Sequence, residues 1–202
     1  MAVDFYYGSG SPYAWRVWLA LEYKGVSFNL KTMSFDAGDL KTAEFATLNP
    51  RRRVPVLVDE DFVLYESAAI VEYIEERWSA GPPLFADNVR KRATQRRHVR
   101  EADQYLAGII GRTVTDGAAD EVRSDLRREL DHWETVLAGD DGARALSAVD
   151  FTLYPQMALL SRIAGRTPGL DSAASGRPRL AAWQGWMRAQ PVVQATWPPH
   201  WK

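Results

Sequence analysis

The pattern of apolar and polar positions divides the chain near residue 80. Before that point, short runs of β-branched and aromatic residues alternate with stretches in which apolar residues recur at helical spacing. These patterns predict seven elements in chain order: a strand at 3–7, a helix at 12–24, a strand at 26–30, a short helix at 40–47, strands at 54–58 and 62–65, and a helix at 67–78. After residue 80 the pattern is helical alone, with helices expected at 88–111, 119–138, 149–162 and 179–190.

The order of these elements predicts the fold class. A strand, a crossover helix and a second strand form a βαβ unit, whose two strands run parallel. The short turn at 59–61 instead joins its two strands as an antiparallel hairpin. We therefore expect α/β plus all-α: an N-terminal domain with a sheet of about four strands (βαβαββα) at 1–79, a linker at 80–86, and an all-helical domain at 87–202.

The composition excludes several classes of protein. Hydrophobic residues make up 46% of the 202 residues, which is enough for packed cores. The 25 Lys and Arg against 26 Asp and Glu predict neither nucleic acid nor a membrane surface as partner. The lack of cysteine excludes disulfides, thiolate metal sites and a cysteine nucleophile, and we expect no bound metal. Without a secretion signal at its start or an apolar run of about 20 residues, the chain is expected to be cytoplasmic.

The corner at Ser11 is the first candidate for chemistry. Ser is a favoured N-cap and Pro12 is favoured at the first helical position, so a helix is predicted to begin here. The free N–H groups and the dipole of a helix N-terminus favour an anion, and a hydroxyl there can donate a hydrogen bond to a thiolate. Taken alone, Ser11 is better explained as a plain helix cap.

Three further places carry candidate contacts. Val54-Pro55 begins a strand on a proline, which a cis peptide bond would explain by exposing the backbone of Val54 for pairing with an extended peptide; an ordinary edge-strand proline is the alternative. Glu66-Ser67 enters a helix, with Ser67 as its expected N-cap, and suits an α-amino acid end. The basic positions able to bind a second carboxylate, or to form a solvated surface, are Lys41, Arg51, Arg52 and Arg53.

Four motifs resemble the cytosolic glutathione S-transferase superfamily over essentially the whole chain. They are the S-P-Y-A-W-R-V run from Ser11, the N-P-R-R-R-V-P-V-L run from Asn49, the E-S-A-A-I run from Glu66, and the S-A-V-D-F capping box from Ser147. The first is similar to the serine-type classes, above all tau, with zeta and theta more distant, in a sequence of bacterial style. The class stays open, and so does the choice between Arg52 and Arg53, since Arg53 stands where Lys or Gln is usual.

The resemblance implies a thioredoxin-like, glutathione-binding N-terminal domain and a helical domain that forms the electrophile pocket. It assigns the catalytic position to Ser11 and implies a glutathione site made of Ser11, Lys41, Arg52, Arg53, Val54, Pro55, Glu66, Ser67 and, from the other subunit, Asp103. It places the pocket for a hydrophobic electrophile near Tyr13, Tyr105 and Ile109, with the aromatic C-terminal tail. A homodimer is implied as well.

The resemblance implies an enzyme that joins the glutathione thiolate to electrophilic small molecules, or uses the thiol to reduce peroxides. Glutathione is then a co-substrate, and no metal is needed. Two alternatives stay open at this stage. One is a glutathione-dependent isomerase, dehalogenase or etherase, because reaction type depends on the variable pocket. The other is a non-catalytic regulatory or ligand-binding protein of the same fold.

Overall fold

A computed structural model describes residues 3–139, 145–172 and 174–201. The strands are β1 (Val3–Gly8), β2 (Phe28–Met33), β3 (Val56–Asp59) and β4 (Phe62–Tyr65). The helices are α1 (Pro12–Tyr23), α2 (Ala43–Leu48), α3 (Ser67–Arg77), α4 (Val89–Glu101), α5 (Ala107–Thr115), α6 (Asp120–Val136), α7 (Ala148–Ala164), α8 (Pro178–Arg188) and α9 (Pro191–Ala195). Single turns of 3₁₀ helix occur at Asp39–Lys41, Leu137–Gly139 and Pro199–Trp201.

The sheet has four strands in the order β2-β1-β3-β4. β1 and β2 are parallel, with Val3 opposite Phe28, whereas β3 is antiparallel to both β1 and β4. The predicted βαβ unit and hairpin are thereby confirmed, as is the thioredoxin-like domain followed by helices. The second strand begins later than predicted because the Val26 N–H still bonds the Leu21 carbonyl at 3.0 Å, closing the end of α1. The ladder of β3 begins at Val56, after a proline that has no N–H to donate.

The structure divides into two compact units, residues 1–86 with 192–202, and residues 87–191. The sequence interpretation assigned residues 192–202 to the helical domain, whereas here they cluster with the first unit. Trp15 explains this difference. Its indole N–H donates to the Thr196 hydroxyl at 2.8 Å, and its ring meets those of Trp197 and Trp201 at centroid distances of 5.4 and 5.6 Å.

Each unit has its own apolar interior. In the first, α1 and α3 contribute fully buried residues that pack with those of the sheet: Phe5, Val17, Leu21, Leu57, Ile70 and Ile74. In the second, helices α6 and α7 and the turn before α5 contribute fully buried residues: Leu106, Leu126, Leu130, Trp133, Phe151 and Met157. The predicted capping box at α7 is present, and the carboxylate of Asp150 also accepts from the Trp183 indole at 2.9 Å.

One predicted helix differs in its interior. The stretch expected at 88–111 runs from Val89 to Thr115, and Ala102–Leu106 within it forms a π-helical turn. A π turn inserts one extra residue per turn and so rotates the side chains that follow it relative to a regular α-helix. Hydrophobic spacing did not reveal it, because a single inserted residue leaves the pattern on both sides helical.

Candidate functional site

One edge of the sheet collects the predicted site residues of the first unit. β1 and β2 are parallel, so the segments that follow both strands leave at the same edge. β3 is antiparallel to β1 and therefore starts at that edge, and β4, antiparallel to β3, ends there. The topology thus brings to one edge the segment with Lys41, the turn with Ser11, the Val54-Pro55 bond and the Glu66-Ser67 corner.

Ser11 is the N-cap of α1. Its hydroxyl accepts from the Ala14 N–H at 3.2 Å, and its own N–H bonds the Gly8 carbonyl at 3.1 Å, closing the turn after β1. Tyr7 lies buried at the base of this turn. Burial raises the pKa of the Tyr7 phenol, and the nearby Ser9 hydroxyl and Gly10 backbone lower it in part. Tyr7 therefore stays protonated near neutral pH and is no anionic competitor at the site.

Gly8 joins this turn to the Val54-Pro55 segment. A Cβ at Gly8 would lie 2.8 Å from Cγ2 of Val54 and 2.5 Å from Cζ of Phe35, so only glycine permits the observed approach. Continuing the register of β1 and β3 places Gly8 directly beside Val54. The Val54-Pro55 peptide bond is cis, as the sequence led us to consider. Among the described residues, no hydrogen bond outside the helices and strands involves the backbone of Val54.

The basic segment before β3 is organised by Asn49, a residue that sequence reasoning used only as part of a motif. Asn49 is buried, and its side-chain amide donates to the Arg53 carbonyl at 2.7 Å while its oxygen accepts from the Arg51 N–H at 2.9 Å. The guanidinium of Arg52 donates to the Lys41 carbonyl at 3.1 Å. Arg52 thus holds its charge beside the Lys41 segment, and the side chains of both residues are exposed.

The Glu66-Ser67 corner differs from its prediction by one residue. Glu66, not Ser67, is the N-cap of α3, because the Glu66 carbonyl accepts from the Ile70 N–H at 3.0 Å and Ser67 is already helical. Glu66 has a φ of 71°, and no side chain caps the first turn. Its carboxylate is exposed and lies 3.8 Å from the guanidinium of Arg51. The corner therefore presents a carboxylate beside the open N-terminus of an 11-residue helix.

Three of the remaining predicted residues belong to the second unit. Asp103 and Tyr105 lie in the π turn, where Asp103 is half-buried and the Tyr105 ring is 53% exposed. Ile109 is half-buried on α5, next to the fully buried Ile110. In the first unit Tyr13 is 37% exposed and lies under the guanidinium of Arg16, which is 5.5 Å from the ring centroid.

Sequence reasoning missed a contact from the far end of the chain. The Ser9 hydroxyl lies 2.5 Å from Nδ1 of His200, although the two residues are 191 positions apart. No local signal around either residue points to the other.

Within the described residues there is no cluster of three or more His, Cys, Asp or Glu side chains arranged to hold a metal. In the same part of the chain, no helix has the length and apolar character needed to cross a bilayer.

The comparison with known proteins matches both halves of the chain. The description "Glutathione S-transferase, N-terminal domain" covers residues 10–77, and "Glutathione S-transferase, C-terminal domain" covers residues 116–183. This chain belongs to the glutathione S-transferase family. Glutathione S-transferase A of Pleuronectes platessa is 31% identical over 96% of this chain and 91% of its own length. Glutathione S-transferase 1 of Dianthus caryophyllus is 42% identical over 85% of this chain and 81% of its own.

A solved structure gives the same result. The glutathione S-transferase from the Antarctic clam Laternula elliptica matches with a TM-score of 0.88 and 28% identity, covering 100% of this chain and 94% of that one. The protein is therefore a glutathione transferase, an enzyme that uses glutathione as co-substrate and joins it, through its sulfur, to electrophiles. Neither the other glutathione-dependent reactions nor a non-catalytic role is favoured by these likenesses.

Proposed function

We propose that this glutathione transferase is of the serine type and that Ser11 activates the thiol of glutathione. The observation that carries the proposal is the order of side chains along the sheet edge. Strand order β2-β1-β3-β4 lines up the Lys41 segment, then Ser11, then Val54, then Glu66. Glutathione presents a glycine carboxylate, a cysteine and a γ-glutamyl amino acid end in that same order.

The dimensions of the edge support this assignment. Strands lie about 4.8 Å apart, so the four strands span about 14 Å from the first to the last. An extended tripeptide is about 10 Å long. The side chains at the two ends of the edge cover the remaining distance. The backbone of Val54 would pair with the cysteinyl unit as an added strand does, and the cis peptide bond to Pro55 would hold that backbone in place.

Opposite charges at the two ends of the edge would fix the direction of glutathione. The cations of Lys41 and Arg52 suit the glycine carboxylate, and the contact of Arg52 with the Lys41 carbonyl favours Arg52 over Arg53 as the second cation. At the other end, the Glu66 carboxylate would accept from the ammonium, while the open N–H groups at Ser67 would bind the γ-glutamyl carboxylate.

Thiol activation follows from the position of Ser11. A free thiol has a pKa near 8.5, and making its ionisation a hundredfold more favourable takes about 2.7 kcal/mol. One hydrogen bond to a charged group stabilises by about 1.5–3 kcal/mol, and a helix N-terminus adds about 0.3–1 kcal/mol. A thiolate bound at the N-cap of α1 would receive both, so no further cation is required for the effect.

The second substrate is proposed to be a hydrophobic electrophile. Tyr13 directly follows Pro12 at the start of α1 and keeps more than a third of its surface exposed, so its ring is available to an apolar reactant. Tyr105, Ile109 and the γ-glutamyl contact of Asp103 stay predictions from the sequence. We also propose a homodimer, which sedimentation at micromolar concentration would test.

Ser11→Ala tests the proposal. Turnover of a model aryl halide should fall more than tenfold, while calorimetry should show glutathione binding little changed, since the other contacts remain. Ser161→Ala is the matched control, because its hydroxyl donates to the Met157 carbonyl within α7, at 2.9 Å. Unchanged turnover in Ser11→Ala would remove Ser11 from the chemistry and leave only its capping role.

A further inference from the structure

The C-terminal segment, residues 192–201, reaches the turn that presents Ser11. Nδ1 of His200 lies 2.5 Å from the Ser9 hydroxyl. The imidazole also covers Gly10, since a Cβ placed on Gly10 would lie 2.9 Å from both Cε1 and Nε2 of His200. One exposed imidazole therefore contacts both residues that precede Ser11.

This contact acts on the glycine-flanked turn that precedes Ser11. Ser9 stands between two glycines, and Gly10 adopts a φ of 87°, in the region that favours glycine. Glycine backbones have the widest conformational freedom, so the backbone bond from the Ser11 N–H to Gly8 alone leaves the intervening residues loosely held. The bond from Ser9 to His200 ties the middle of the turn to a second segment.

That second segment is itself firmly held. The indole of Trp15, fully buried on α1, donates to the Thr196 hydroxyl, and Trp201 is buried with its ring packed against Trp15. The Trp201 N–H bonds the Pro198 carbonyl at 2.9 Å, which shapes the turn that carries His200. His200 is thus anchored through α1, the helix whose N-terminus Ser11 caps.

We propose that His200 is a positioning residue for thiol activation. By holding Ser9, it fixes the turn from Gly8 to Ser11 and so the direction of the Ser11 hydroxyl. The proposal rests on the function proposed for Ser11, and it assigns to the C-terminal segment a part in the chemistry of the glutathione site. His200 itself does not touch the sulfur in this role.

The test compares His200→Ala, Ser9→Ala and the double variant, with Gln194→Ala as control. Gln194 is an exposed polar residue of the same segment. Each single variant should lower kcat about fivefold, within the range of one lost hydrogen bond, while the KM for glutathione changes less than twofold. The double variant should be no slower than either single one, because both remove the same bond. Gln194→Ala should behave as the parent protein.

Two measurements separate positioning from a general loss of structure. The ultraviolet absorbance of the bound thiolate should titrate at higher pH in His200→Ala than in the parent. His200→Asn should restore both kcat and this titration, since the Asn amide places a hydrogen-bonding atom near the position of Nδ1.

Two results would overturn the inference while leaving the role of Ser11 intact. The first is parental kcat and thiolate titration in His200→Ala alongside an impaired Ser11→Ala. The second is additive losses in the double variant. If Ser11→Ala is itself unimpaired, the proposed function fails first, and His200 then has no activation to support.

Discussion

Ser11→Gly separates helix capping from the thiol activation that we propose for the same side chain. Glycine is itself an acceptable N-cap residue, so it costs only a few tenths of a kcal/mol where alanine costs about 1 kcal/mol. The backbone of Ser11, at φ −75° and ψ 116°, is open to glycine without change. Ser11→Gly thus removes the hydroxyl without adding bulk and without opening the helix end.

The expected magnitudes differ between stability and rate. Ser11→Ala loses the 3.2 Å bond from the Ala14 N–H, about 1 kcal/mol, which lowers the melting temperature of a chain of this size by about 2–4 °C. Ser11→Gly should melt within about 1 °C of the parent. In both variants the rate near pH 7 should fall between tenfold and a hundredfold, because both lose the hydrogen bond to the thiolate.

The pH dependence provides an independent check. In the proposed role, Ser11 lowers the pKa of the bound thiol, so its advantage is full below that lowered value, shrinks as pH rises towards the ordinary value near 8.5, and is gone above the latter. The deficit of both variants should therefore shrink steadily from pH 7 to pH 9.5. Stopped-flow titration of the thiolate, alongside steady-state turnover at each pH, measures it directly.

A cap deletion elsewhere supplies the control. Asn88 caps α4 by accepting from the N–H groups of Arg90 and Lys91 at 3.0 and 3.1 Å. Asn88→Ala should lower the melting temperature by about as much as Ser11→Ala, with turnover unchanged. Parental turnover in Ser11→Gly would refute the reasoning, and so would a rate deficit that is the same at every pH.

Three further predictions concern the surrounding structure. Glu75→Gln leaves the ammonium of Lys24, whose side chain is 1% exposed, without the carboxylate charge that lies 2.6 Å away in the parent; we expect a loss of about 3 kcal/mol, seen as a melting temperature lower by about 6–12 °C. Asp150→Ala removes the acceptor of the hydrogen bonds from Ser147 and Trp183 in the second unit and should destabilise by about 3 kcal/mol in urea unfolding, with the KM for glutathione unchanged. Arg52→Ala should raise that KM about fivefold and Arg53→Ala less than twofold, because Arg52 is bonded to the Lys41 segment; the reverse order in steady-state kinetics would contradict the assignment.

Most of the sheet and the corners of the site could be predicted from the sequence because the signals are local. The Ser11-Pro12 pair marks a helix start through capping and the fixed φ of proline, and the helix begins there. The turn at 59–61 joins the strands on either side of it as a hairpin. At the Glu66-Ser67 corner, the N-cap was predicted one residue too late. Both residues suit a helix start, and the backbone angles of Glu66 decide which one is the cap.

Local patterns were enough to predict most of the elements, the class of each domain and the residue types offered to glutathione, since hydrophobic period, caps and turns act over a few residues. Which of these residues meet depends on the folded chain. The choice of Arg52 beside Lys41, the π turn at Ala102–Leu106 and the bond from Ser9 to His200 depend on packing between segments far apart in the chain. Such contacts leave no local pattern, because their free energy comes from surfaces that exist only once the chain has folded.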